Sequence, residues 1–393
     1  MKTLTLSLLG LLASSLSLAA ETSGTTGASF VDPTASVTNA RQIALGENTY
    51  VGPFAVLKAG TTLTSGIVLG KEVNIQDNVT LDATGGRIVM GDLAIAAHGA
   101  TLKSKSQVGV GGSCPGGAKH CASFVGFNSE VDGATVQMDA MVTHLARVAP
   151  GLVVPSGCKV MPGKLITSQA QMGVAGVCRA PYTTPVTEAD REFMKGVIEV
   201  NVCFANQYAA MRKEDPSLVS GINADPSCGF NPGRQLPRFA GSTVQDSGFR
   251  NRIIGDVRMA DELEDADDRM GAQVALRADE GSPFTLGANA LIDSKVVMHA
   301  LEHTKVTLGA NAVLGRRALV HGGPAFGAHT QAGNGLSLGK EAVFFQSTAG
   351  AGVKLGCRAF VQATQLAAYA QVPSRAVIIG GVQAGTVEWG TCP

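Results

Sequence analysis

The stretch LGENTY VGPFAV LKAGTT LTSGIV LGKEVN IQDNVT L, from Leu45 to Leu81, carries an aliphatic residue at every sixth position: Leu45, Val51, Leu57, Leu63, Leu69, Ile75 and Leu81. A helix repeats every 3.6 residues and a strand every two, so neither gives a period of six. That period belongs to a parallel β-helix of hexapeptides, in which each hexapeptide forms one short side of a triangular coil and points its aliphatic residue into the prism. Three hexapeptides, about 18 residues, complete one coil. Glycine often follows the inward residue, as at Gly46, Gly52 and Gly70, where a tight turn is expected.

Working outward, the period slips by three residues and resumes at Met90, Ala96 and Leu102, then runs from Val136 through Val142, Val148, Val154 and Val160 to Ile166. It fades near Gln171 and returns at Leu286, Ile292 and Met298, then at Leu308, Leu314, Val320, Phe326, Ala332, Leu338 and Phe344. The chain therefore reads as two tandem prisms, 21–175 and 241–393, joined by 176–240. In the connection, Thr187 and Asp190 form a capping-box pattern ahead of an apolar stripe of Phe193, Val197, Val200, Phe204, Tyr208 and Met211. A helix lying along the first prism is predicted there, followed by a Pro/Gly-rich linker through Phe239. With 49 glycines and only 5% aromatic residues, the composition suits many small aliphatic layers. Equal counts of 31 basic and 31 acidic residues leave no basic tract for nucleic acid.

Residues 1–20 combine Lys2, an apolar run from Leu4 to Leu18, and small residues at Ala19 and Ala20, the pattern of a secretory signal peptide. No other stretch is long and apolar enough to span a bilayer. Eight cysteines suit an oxidising compartment, periplasmic or extracellular. Of their pairings only Cys114 with Cys121, flanking a Gly/Pro-rich loop, is legible; a metal site using both thiols and His120 is the rival reading. Asn78-Val79-Thr80 is a glycosylation sequon.

Of seven histidines, His299 and His321 are placed by the period. They are 22 residues apart, and four of those residues are an insertion between Met298 and Leu308, which leaves one coil. The two imidazoles are thus expected on one corner of adjacent coils, about 5 Å apart, close enough to share a metal ion. A catalytic site needs a third ligand. His144 is expected on the prism surface, and His303 lies in the insertion.

The residues around these histidines resemble the γ-class carbonic anhydrases, in RADEGSPF (Arg277 to Phe284), VVMHALE (Val296 to Glu302) and Leu319-Val320-His321-Gly322 of the second half, and in Asn74-Ile75-Gln76-Asp77 and Leu165 to Ala170 of the first. Val200-Asn201-Val202 is similar to that family's C-terminal helix. The resemblance implies an all-β fold of two tandem left-handed parallel β-helices of hexapeptide repeats, with an α-helix following the first. It also implies trimer-like rings in which a metal sits between neighbouring prisms, two histidines coming from one prism and the third from the next. Each half departs from the family pattern. The ligand positions hold Asp82, His98 and Lys103 in the first half and His299, Arg316 and His321 in the second. The losses are complementary, since a second half facing a first half presents His299, His321 and His98 together. Asp82, Lys103 and Arg316 are then expected to meet on the opposite face as ion pairs.

Carried over residue by residue, the resemblance implies zinc, with iron or cobalt as alternatives, on His98, His299 and His321. Gln76, with Asn74, would orient hydroxide or substrate; Glu280 would shuttle the proton with Glu302 as relay; Arg277 and Asp77 would be an interface pair. The implied reaction is hydration of CO2 to bicarbonate. The implied assembly is a homo-oligomer of pseudo-trimeric rings, or a hetero-oligomer with another subunit of this type. A non-catalytic assembly protein and a hexapeptide acyltransferase are the competing functions, the latter without any acyl-carrier groove legible in the sequence.

Overall fold

The computed structural model describes residues 27–229, 234–280, 283–301, 304–323 and 329–392. The signal-peptide reading, Glu302 and His303 lie outside these residues. The chain folds into two left-handed β-helices, each a three-sided prism of very short parallel strands in which every third strand returns to the same sheet. The first prism has sheets of eight, seven and six strands, and the second has sheets of nine, eight and five. No helix among the described residues is long and apolar enough to cross a membrane.

Most inward positions behave as the period predicts. Val51, Ile75, Ala96, Val142 and Val160 are fully buried in the first prism, as are Met298, Val320, Phe344 and Val361 in the second. Leu63 does not follow. It is 75% exposed on a short 3₁₀ turn, Leu63–Ser65, and the coil that contains it is one hexapeptide longer than the standard coil: Leu45 pairs with Leu69. An extra hexapeptide keeps the six-residue phase, so the period alone could not expose it.

The glycines after inward residues serve a different purpose from the one expected. A Cβ on Gly46 would lie 2.2 Å from the carbonyl oxygen of Gly70 on the next coil, so these positions need close backbone approach between coils. Several left-handed corners are instead taken by Asn48, Asn78, Asn128, Asn289 and Asn311, with φ between 50° and 60°. Asparagine tolerates that region better than other non-glycine residues.

The helix α1, Glu188–Glu214, starts at the capping box, where the Thr187 hydroxyl accepts from the Asp190 amide and the Asp190 carboxylate accepts from the Thr187 amide. It bridges both prisms and does not lie along the first alone. Val200, Phe204, Tyr208 and Met211 pack with Phe30 and Tyr50 of the first prism and with Ile254 of the second. The stretch read as a linker already begins the second prism, because Ile222–Asn223 pairs in parallel with Arg252–Gly255. Its prolines interrupt the period without preventing a two-residue strand. All eight cysteines are in disulfides: Cys114–Cys121, Cys158–Cys178, Cys203–Cys228 and Cys357–Cys392. The first of these excludes the rival thiolate site with His120.

The two prisms lie face to face within the one chain. The seam buries Ile95, Phe124, Phe127, Met141 and Leu145 of the first prism against Val297, Leu319, Phe345 and Phe360 of the second. At Gly99 the backbone itself takes part: its carbonyl accepts from Arg317 Nη2 of the second prism at 2.8 Å. The sequon asparagine is part of this seam: Asn78 is buried, and its Nδ2 donates to the Gln273 carbonyl of the other prism at 3.2 Å. A glycan cannot fit there. The protein made in a eukaryotic secretory host is expected to show no glycan mass at Asn78; a glycosylated, fully folded product contradicts this packing.

Candidate metal centre at the seam

Five strands position the site: β1 (Asn74–Ile75) and β2 (Ala94–Ala96) in the first prism, and β3 (Ala275–Ala278), β4 (Val297–His299) and β5 (Leu319–His321) in the second. On β4 and β5 the central residues, Met298 and Val320, point inward, so His299 and His321 point out of the prism towards its neighbour. They are direct register partners on adjacent coils. His98 leaves the corner after β2 and enters the same space from the first prism. The three ring centroids are 5.1 to 5.3 Å apart, and one nitrogen from each ring lies within 4.8 Å of the others. All three rings are almost fully buried. Among the described residues this is the one group of three or more His, Cys, Asp or Glu side chains arranged to hold an ion.

Polar contacts at the outer ring nitrogens set which nitrogens face inward. His321 Nδ1–H donates to the Gly322 carbonyl at 2.6 Å, leaving the lone pair on Nε2. His98 Nδ1 lies 2.8 Å from Asp77 Oδ2, which places its proton there and turns Nε2 inward. His299 Nε2 lies 3.3 Å from Asp279 Oδ1 and 3.2 Å from Glu280 Oε1, so its Nδ1 faces His98 Nε2 at 3.3 Å.

Arg277 ties the carboxylates together. Its Nη1 donates to both oxygens of Asp77, at 3.1 and 3.0 Å, and its Nε and Nη2 donate to Asp279 Oδ2 at 3.0 and 2.7 Å. It is 1% exposed and sits over the rings of Tyr50 and Phe204. Burial alone would raise the Asp77 carboxyl, but Arg277 and then His98 outweigh it and bring it down to about 2. Asp279 is likewise held far below the usual carboxylate range, by Arg277 and His299 against burial. Burial pushes His98 down to about 4 and His321 well below the ordinary imidazole value. For His299, burial and Arg277 also act downward, but Glu280 and Asp279 prevail and lift it to about 9.

The other expected residues sort as follows. Gln76 is buried, and its Oε1 accepts the His98 amide at 3.1 Å. Asn74 is fully buried, and neither Nδ2 nor Oδ1 has a hydrogen-bond partner among the described residues. Glu280 stands beside His299. Asp82 and Lys103 are register partners on adjacent coils, but Arg316 does not join them. Asp82 pairs with Lys58 at 3.3 Å and Lys103 with Glu130 at 2.8 Å on an outer face of the first prism, while Arg316 is exposed on a turn of the second. One seam unites one pair of faces, and these residues sit on the faces it leaves outside.

His144 is not on the surface. It is 7% exposed and stacks between Phe127, at 4.3 Å, and Phe360, at 5.1 Å; burial lowers its pKa to about 3. Its direction out of the first prism was legible, but the second prism covers it. Asp279 was missed altogether. A signal existed, because alternation along β3 puts residue 279 on the same side as Arg277.

No protein-family model matches the chain, and no curated protein matches it. Solved structures with some likeness include a hexapeptide transferase family protein from Anaplasma phagocytophilum, 20% identical over 45% of this chain and 91% of that one, at a TM-score of 0.22. A putative acetyltransferase from Bacillus cereus is 16% identical over 46% of this chain and 91% of that one, also at 0.22. A UDP-N-acetylglucosamine acyltransferase is 11% identical over 85% of this chain and 71% of that one, at 0.16. At such scores these likenesses carry no argument about activity.

Proposed function

We propose that the chain is a metal-dependent carbonic anhydrase whose single centre is formed by His98 of one prism and His299 and His321 of the other. The observation that carries this reading is the convergence of three buried imidazole nitrogens from two prisms of one chain. The residues present fit a divalent ion. Three nitrogen donors suit zinc, iron or cobalt and leave at least one coordination position for water. The surrounding charge also fits: Asp77, Asp279 and Glu280 against Arg277 leave a net charge of minus two when the imidazoles are neutral. Export to an oxidising compartment belongs to the same proposal and is supported by the four disulfides.

A divalent ion bound there supplies Lewis acidity that lowers the pKa of a coordinated water from 15.7 towards about 7. The chain's own residues do the rest. Asp77, Asp279 and Glu280 orient the ring N–H groups of His98 and His299, as the outer partners of ligating histidines generally do. The Gln76 amide, fixed by the His98 backbone N–H, and the unpartnered Asn74 amide offer hydrogen bonds to a small oxygen-bearing substrate. Glu280 is the carboxylate in position to take a proton away from the centre.

Purified protein is expected to hold one divalent ion per chain by elemental analysis and to accelerate CO2 hydration in a stopped-flow pH-indicator assay. Absence of both metal and activity sinks the reading. Because one chain provides all three donors, no second chain is needed to complete the centre.

A further inference from the structure

The helix α1 belongs to neither prism, yet one of its side chains reaches the centre. Tyr208 is 1% exposed, and its Oη donates to Asp279 Oδ2 at 2.6 Å. That oxygen also accepts Nε and Nη2 of Arg277. Three donors on Oδ2 fix the plane of the carboxylate and direct Oδ1 to His299 Nε2, 3.3 Å away. The order of contacts is therefore helix hydroxyl, carboxylate, imidazole, metal position. The phenol is itself held tightly. Its ring packs on Phe30 at 5.2 Å and on Phe204 at 5.6 Å, and Cys203, five positions earlier, is bonded to Cys228. Burial and then the Asp279 charge keep the hydroxyl protonated by raising its pKa well above the usual phenol value, so it is always a donor.

We propose that Tyr208 is a positioning residue of the metal centre: acting through Asp279, its hydroxyl fixes the tautomer and ring orientation of His299 so that Nδ1 faces the ion. The inference rests on the metal-centre part of the proposed function and not on the identity of the substrate. It also gives α1 a role beyond covering the seam. A phenylalanine at this position would pack in the same space but would remove one of the three donors on Asp279 Oδ2.

The test uses the full-length protein loaded with Zn²⁺ or Co²⁺. Tyr208→Phe keeps the ring and removes the hydroxyl. Its metal affinity, measured by competition with a chelator at fixed pH, is expected to fall about tenfold, the lower end of what loss of an outer partner costs. The visible spectrum of the Co²⁺ form is expected to change as the geometry at His299 relaxes. Thr187→Ala is the control: it weakens the start of α1 without touching Asp279, and both readouts are expected to stay at wild-type values. Unchanged affinity and spectrum in Tyr208→Phe overturn the inference, as does an equal weakening in Thr187→Ala, which would assign the effect to helix stability. A wild-type protein that binds no metal overturns this inference and the proposed function together. A wild-type protein that binds metal but does not hydrate CO2 refutes the proposed reaction, while the Tyr208→Phe comparison still decides the inference.

Discussion

His98→Ala is expected to leave the chain folded but without bound metal and without CO2 hydration. His98 contributes one of three donors, and its ring is the only imidazole from the first prism at the centre. The two that remain, His299 and His321, are both on the second prism and cannot close a site alone. Losing an outer partner of a ligand costs about 10- to 100-fold; losing the ligand itself should exceed that in both affinity and rate. Alanine leaves a small void beside Phe127, whose ring centroid lies 5.7 Å from that of His98, so a modest loss of stability accompanies the change. Elemental analysis and the stopped-flow assay, on the same preparation, check both effects. Retained metal and rate in His98→Ala would falsify a centre shared between the prisms.

Arg277→Ala is expected to have the largest effect on stability. The guanidinium donates to the carboxylates of both Asp77 and Asp279, which are fully buried. Buried ion pairs are a weak source of net stability, but removing one partner strands the other charge and costs about 3–5 kcal/mol. Here one deletion takes the guanidinium from two, although His98 still faces Asp77, and Tyr208 and His299 still face Asp279. The change also predicts a shift in acid sensitivity. Asp77 has a folded pKa of about 2, below its ordinary value of 3.8. Its contribution to stability is therefore complete above that ordinary value and is lost as pH falls towards 2. Without Arg277, burial is less strongly opposed, the folded pKa rises, and acid unfolding begins at higher pH. Urea titrations at neutral pH and a pH series measure the two effects. A variant as stable as wild type, with the same acid midpoint, would show that the carboxylates are satisfied by other means.

The fold was legible because the interior of a narrow prism takes one apolar side chain per side, mostly a modest aliphatic one, and that demand recurs along the sequence. The same regularity hid its own exceptions. Leu63 keeps the phase of six but sits outside the coil, because inserting a whole hexapeptide leaves the period untouched. The pair His299 and His321 was also legible, since stacking between coils is a local property of the repeat. Their meeting with His98 was expected only from the resemblance to the γ-class carbonic anhydrases: the period says which residues leave a prism, never what they then touch. His144 illustrates the same limit, since it points out of its prism and is buried by the other. Tyr208 was read as one more member of an apolar stripe, because its ring fits that role and its hydroxyl leaves no trace in a hydrophobic pattern. Asp279 lay unremarked between two residues that had been singled out, Arg277 and Glu280.

The seam joins surfaces that belong to a single polypeptide, and this changes how the centre responds to dilution. Where a site spans separate molecules, its occupancy falls as the molecules are diluted below their dissociation constant. Here the partner surface is tethered, and its effective concentration is set by the chain between the prisms, on the order of millimolar for a short flexible link. Part of that chain is the rigid α1, packed against both prisms, so encounter is restricted further to the productive orientation. A site built this way is indifferent to the concentration of the protein.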